Sequence, residues 1–209
     1  LVNSDFIVNA IQVGGYEPCT VTDFEIPKKY GLRQTIADTI GVGGVFRALR
    51  TIAVLEEFAA DIEKLCPDAL FLNYTNPMAM LTGYMQKYTK VKVVGLCHSV
   101  QSCVPGLLRT VRMLKEKDTC EYNIAGINHQ AWLLDIKDKD GKDLYPEIKR
   151  VSLSGKYKNN LYYIIPDRVR HDMMHHFGCY ITESSEHASE YLPYYIKNRS
   201  PELIKKFKI

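Results

Sequence analysis

A chain of 209 residues is long enough for one large domain, or for one domain with an appended piece. Its apolar content of 46% and charged content of 24% are ordinary globular values, which sets aside disordered and fibrous classes. The net charge of +3 is small and the basic run Lys205-Lys206-Phe207-Lys208 is short, so neither nucleic acid nor a membrane surface is indicated as a partner.

No apolar stretch approaches the roughly 20 residues of a membrane span, and no signal-peptide pattern is present. The six cysteines, at 19, 66, 97, 103, 120 and 179, form no CxxC pair. In a chain of this size that usage points to a reducing cytoplasm. The chain begins without Met on a strand-like run and ends just after a helical pattern. It reads as a piece of a longer protein.

Asp5 to Val13 is apolar nearly throughout, the pattern of a parallel strand buried on both faces. Gly14-Gly15 then allows a turn or a close ligand approach. Tyr16 to Gly44 is polar and weakly periodic, and a connection of that length is functional or carries short helices. From Val45 to Leu65 the pattern is helical, with Leu49, Ile52, Ala53, Leu55, Ala59 and Ile62 recurring mostly at three- and four-residue steps. Arg47 and Arg50 share a face there, as a solvated basic surface or as groups at a site. Pro67-Asp68 stops that helix.

Ala69 to Asn73 reads as a short buried strand, Asn76-Pro77 as a turn, and Met78 to Gln86 as a helix. Val91 to Leu96 is the next strand and Val100 to Lys117 the next helix. This is a βαβ unit, hence parallel strands. After Asp118 the character changes. Glu121 to Gly126 and Ala131 to Lys137 look like strands, and Asp138-Lys139-Asp140-Gly141 like a hairpin turn. Leu144 to Leu161 resists assignment. Pro166 to Phe177 reads as a helix capped by Gly178, Tyr180 to Glu183 as strand-like, Glu186 to Tyr195 as irregular or helical, and Pro201 to Phe207 as a helix.

Polar groups follow the strand candidates: Gln12-Val13-Gly14-Gly15, Asn73 with Asn76, Cys97-His98-Ser99, and Asn128-His129. In an open α/β sheet such ends share one rim, where ligands bind. A thiolate at Cys97 and an imidazole at His129 suit a divalent transition ion and leave positions open for substrate oxygens. A small buried thiol and a hydrogen-bonded structural histidine are the alternative. No G-x-G-x-x-G follows a strand, so a dinucleotide-binding domain here would lack its first βαβ unit.

The stretches GGYEPCTVTDFEIPKKYGLRQTIADT (Gly14–Thr39), RALRTI (Arg47–Ile52), NYTNPMAM (Asn73–Met80), GLCHSVQ (Gly95–Gln101), AGINHQAW (Ala125–Trp132) and ITESSEHASEYLPYYIK (Ile181–Lys197) resemble glycoside hydrolase family 4, most closely its α-galactosidase branch. The resemblance implies a Rossmann-like α/β fold of the lactate and malate dehydrogenase type over residues 1–118, and an α+β catalytic and substrate region over 119–209. It implies NAD⁺, a divalent metal, usually Mn²⁺, and hydrolysis of an α-galactoside by oxidation at C3, elimination, water addition and reduction, outside the two-carboxylate route.

Residue by residue, it implies Cys97 and His129 as metal ligands and His98 as acid at the leaving oxygen. Tyr191 is the implied base, with Glu183 the second candidate. Gln12, Asn73 and Asn76 are implied at the cofactor, and Asn76, Asn128 and Arg50 at the substrate, with Arg47 near the rim. An imidazole titrates near neutrality and can donate there, whereas a phenol must be lowered from about 10. The resemblance also implies a homo-oligomer, a dimer or tetramer. An α-glucosidase, a 6-phospho-glycosidase, an inactive fragment and a hydroxy-acid dehydrogenase are the rival readings.

Overall fold

The structure, a computed structural model, describes residues 1–155, 167–197 and 200–209. It divides into two compact units, Leu1–Cys97 and His98–Ile209.

The first unit is built on a parallel sheet of three strands in the order β1 (Phe6–Asn9), β2 (Leu70–Asn73), β3 (Lys92–Gly95). Register aligns Asn9, Asn73 and Gly95, so the loops that follow all three strands leave from one rim. Helices α1 (Val21–Lys29) and α2 (Gly41–Leu65) connect the first pair, and α3 (Met78–Tyr88) the second. Between β1 and α1 lies an irregular helical turn, Gly15–Thr20, broken at Glu17. The buried residues of α2, Ala48, Thr51, Leu55, Ala59 and Ile62, recur at steps of three and four and so line one face. Ala48, Leu55, Ala59 and Ile62 pack with Phe71, Leu81 and Met85 into the core of this unit. Each large aliphatic side chain buried there contributes about 1.5–3 kcal/mol.

This is the expected α/β arrangement, with one correction. Only four residues of the Asp5–Val13 run form strand, and they are not buried on both faces: Phe6 is 67% and Val8 64% exposed. Among the described residues β1 pairs with β2 alone.

The second unit begins with α4 (Ser99–Thr110) and holds an antiparallel sheet, β4 (Glu121–Ile127), β5 (Gln130–Lys137) and β6 (Tyr180–Ile181). Around it lie α5 (Tyr145–Leu153), α6 (Arg168–Phe177), α7 (Ser185–Tyr191) and α8 (Pro201–Phe207). Leu107, Leu108, Leu133, Ile136, Ile148, Met174 and Tyr180 form its main core.

α4 stops seven residues short of the expected Lys117. Arg112 takes a left-handed conformation (φ 64), and the Met113 amide donates back to the Leu108 carbonyl at 2.8 Å. That is a helix-ending motif without the usual glycine. The Asp138–Gly141 turn follows β5 and closes on a bridge between Lys137 and Asp143. The β4–β5 hairpin instead turns at Asn128-His129, since Ile127 pairs with Gln130. These two residues therefore sit at an antiparallel turn, not after a parallel strand. α5 occupies part of the unassigned stretch, and Pro166, the expected start of α6, lies outside the described residues. No helix among the described residues is long and apolar enough to cross a membrane.

Candidate active site

In the first unit the rim is organised by amides. Asn73 is 1% exposed. Its Oδ1 accepts from Asn9 Nδ2 (2.8 Å) and the Thr75 amide (3.2 Å), and its Nδ2 donates to the Thr75 carbonyl and Thr82 Oγ1 (3.3 Å each). Both hydrogens and both lone-pair directions of this side chain are thus used, and they hold the loop after β2 in shape. Asn76 comes next in that loop. Its Nδ2 donates to Asp38 Oδ2 (2.8 Å), and Arg47 Nε donates to its carbonyl (3.3 Å). Gln12 Nε2 donates to Thr20 Oγ1 at 3.1 Å.

Arg50 is engaged in the same rim. Its guanidinium meets the Asp23 carboxylate at 2.7 and 3.3 Å, and its Nε donates to the Val13 carbonyl at 3.3 Å. Asp23 is 6% exposed and Arg50 25%, so the pair is largely desolvated and ties α1 to α2 and to the loop after β1. The hydrogen bond to Asp23 raises the Arg50 pKa further above its ordinary value, outweighing partial burial. A solvated basic face thus describes neither Arg47 nor Arg50. Gly95 keeps the β3 end slim: a Cβ there would lie 2.1 Å from Met78 Sδ and 2.7 Å from Thr82 Oγ1. Cys97 follows through Leu96, whose amide donates to the Asn73 carbonyl at 2.9 Å.

In the second unit His98 is the N-cap residue of α4. His129 is 4% exposed at the hairpin turn, in the left-handed region (φ 59). Glu183 is also left-handed (φ 70), and its Oε1 lies 3.9 Å from His129 Nε2. Two such non-glycine residues thus stand close together in a conformation uncommon for L side chains. The His187 ring packs edge-on against His129 with centroids 4.8 Å apart, and Tyr191 follows one helical turn on, its ring 6.3 Å from that of His187. Ser184 caps α7: its Oγ accepts from the His187 amide (3.3 Å) and lies 2.9 Å from His187 Nδ1. The two heteroatoms of the Asn128 amide are buried and meet no hydrogen-bond partner among the described residues.

A buried network fixes α7. Asp167 Oδ1 accepts from Ser185 Oγ (3.0 Å) and Arg170 Nε (2.7 Å), and Tyr180 donates to its other oxygen. Burial alone would push the Asp167 carboxyl up, but Arg170, His171 and these hydrogen bonds hold it below the ordinary carboxylate range. The second unit thus gathers His129, Glu183, His187 and Tyr191. Of these His187, with Ser184 behind it, was not assigned a role from sequence. The available signal was its spacing of four from Tyr191, which puts both on one helix face.

A family model described as Family 4 glycosyl hydrolase matches residues 1–113, and one described as Family 4 glycosyl hydrolase C-terminal domain matches residues 124–209. An α-galactosidase of Bacillus subtilis is 59% identical over 209 residues, which cover 100% of this chain and 46% of that protein. The crystal structure of lplD of the same species, described as a glucosidase, superposes with a TM-score of 0.81 at 26% identity over 97% of this chain and 50% of that one. A 6-phospho-α-glucosidase from gut microorganisms, solved with NAD and Mn²⁺, superposes with a TM-score of 0.72 at 22% identity over 99% of this chain and 50% of that one. The chain therefore spans about half the length of the relatives it matches. Matched along both units, it belongs to family 4 of the glycosyl hydrolases.

Proposed function

We propose that the whole protein hydrolyses α-galactosides with NAD⁺ and a divalent ion, Mn²⁺ above all. The observation that carries this reading is 59% identity along the entire chain to an α-galactosidase. The residues fit a missing group: a buried amide at Asn128 has unmet donors and acceptors beside the buried imidazole of His129. An unpaired buried amide costs about 1–3 kcal/mol, and a sugar hydroxyl would satisfy it.

When bound, NAD⁺ would take hydride from the sugar C3 and the ion would polarise the C2 and C3 oxygens. The chain does the rest. Cys97 and His129 are the proposed ligands, on the strength of the motifs that carry them. His98 donates a proton to the leaving oxygen, from a position fixed by the start of α4. Tyr191 removes the C2 proton, and Glu183 is the alternative base, standing 3.9 Å from His129. Asn76 and Gln12 face the cofactor with Asn73 holding their rim, while Asn128, Asn76 and Arg50 face the sugar. We assign residues 1–118 to the cofactor-binding part and 119–209 to the catalytic part. None of the six cysteines is in a disulfide, which supports the reading of a reducing cytoplasm. A homo-oligomer is part of the same proposal.

The test is release of galactose from an α-galactoside by the full-length protein with NAD⁺, Mn²⁺ and thiol, beside α-glucoside and 6-phospho-glycoside controls. Cleavage of the galactoside alone supports the reading. Preference for a phosphorylated sugar, or full activity in Cys97→Ala, overturns it.

A further inference from the structure

We infer that His187 is a further protein ligand of the divalent ion held at His129. This rests on the metal-dependent reading above and adds a residue to it.

His129 is held by the hairpin turn between β4 and β5, and His187 by α7, so two independent elements bring imidazoles together. One ring nitrogen of each lies within 4.8 Å of the other. An ion with metal–nitrogen bonds of about 2.0–2.1 Å sets its two neighbouring nitrogens roughly 3.0–3.4 Å apart. Binding the ion would draw the two nitrogens together by up to roughly 1.5 Å. The surroundings prepare His187 for this task. Ser184 Oγ, 2.9 Å from Nδ1, holds the ring orientation, and in the tautomer with its proton on Nδ1 the lone pair is on Nε2. The same hydroxyl caps α7 through the His187 amide, so the ring and its helix are set by one group.

Ring packing alone would not need this chemistry. An edge-on aromatic pair is worth about 0.5–1.5 kcal/mol and a phenylalanine would serve. Here the partners are two imidazoles, one on a left-handed turn and one with a hydrogen-bonded Nδ1, beside a carboxylate 3.9 Å from His129. Imidazole nitrogens are ligands that first-row transition ions accept.

The experiment is Mn²⁺ binding to the full-length protein without sugar, followed by electron paramagnetic resonance. Titration reads affinity, and electron spin echo modulation counts coordinated imidazole nitrogens. Wild type should show two. His187→Phe should show one and bind Mn²⁺ about 10- to 100-fold more weakly. His187→Gln, which keeps a partner for Ser184, should also show one. Ser184→Ala should keep two with weaker binding. A wild-type protein that binds Mn²⁺ through one imidazole, or a His187→Phe protein with unchanged affinity, overturns the inference and leaves the metal-dependent reading standing. A wild-type protein that binds no Mn²⁺ overturns both.

Discussion

His171 should set the acid stability of the second unit. It is 1% exposed on α6, with Nδ1 2.8 Å from Ser152 Oγ, which in turn lies 2.9 Å from His175 Nε2. Burial pushes its pKa from the ordinary 6.5 down to about 4; the Asp167 carboxylate opposes this and Arg170 reinforces it. The unfolded chain therefore binds a proton that the folded chain refuses. Stability is complete above pH 6.5 and falls as pH drops toward 4. At about 1.4 kcal/mol per unit, the loss is about 2 kcal/mol between pH 7.5 and 5, and about 3 kcal/mol by pH 4. Asp167, held below its ordinary value, acts in the same direction but only below that window. His175, lowered mainly by partial burial, adds to it slightly. The perturbation is His171→Gln, which retains a polar partner for Ser152. Urea unfolding at pH 7.5 and 5 should show the variant losing about 2 kcal/mol less than wild type on acidification. An unchanged pH dependence would refute the assignment.

Asp23→Asn removes the charge opposite the Arg50 guanidinium and one of its acceptors, and should cost about 1–3 kcal/mol; a melting temperature equal to wild type would contradict this. Gly126→Ala should destabilise by about 1–3 kcal/mol and weaken Mn²⁺ binding through His129. The Cβ would fall 2.5 Å from the Ala131 Cα at a glycine with φ 147, so calorimetry and a metal titration check both effects. Asn128→Ala should leave the ligand-free protein as stable as before, or more so by about 1 kcal/mol, because the amide it removes is unsatisfied. The same variant should lose sugar turnover, and a large drop in ligand-free stability would show that Asn128 serves the fold instead.

Parts of this molecule could be read directly. β2, α3 and β3 follow from two short apolar runs separated by Asn76-Pro77 and a helical pattern, because each signal is local. The end of α4 was not legible, since Arg112 adopts φ 64 without the glycine or proline that announces a stop. The hairpin at Asn128-His129 was hidden for the same reason, His129 having φ 59, whereas the turn at Asp138–Gly141 was announced by its Asp-Gly pair. His129, Glu183 and Tyr191 stand out by type and motif. What brings Asp23 to Arg50, or His187 to His129, is tertiary: partners 27 and 58 positions apart carry no periodic mark.

The proposed chemistry of the full-length protein is glycosidic-bond cleavage by elimination after oxidation at C3. It is tested most directly by running α-galactoside hydrolysis in D₂O with the full-length protein, NAD⁺ and Mn²⁺, and recording the proton spectrum of the released galactose. The expected result is deuterium at C2, placed there when the abstracted proton is replaced from solvent. Galactose released with its C2 proton fully retained would contradict it.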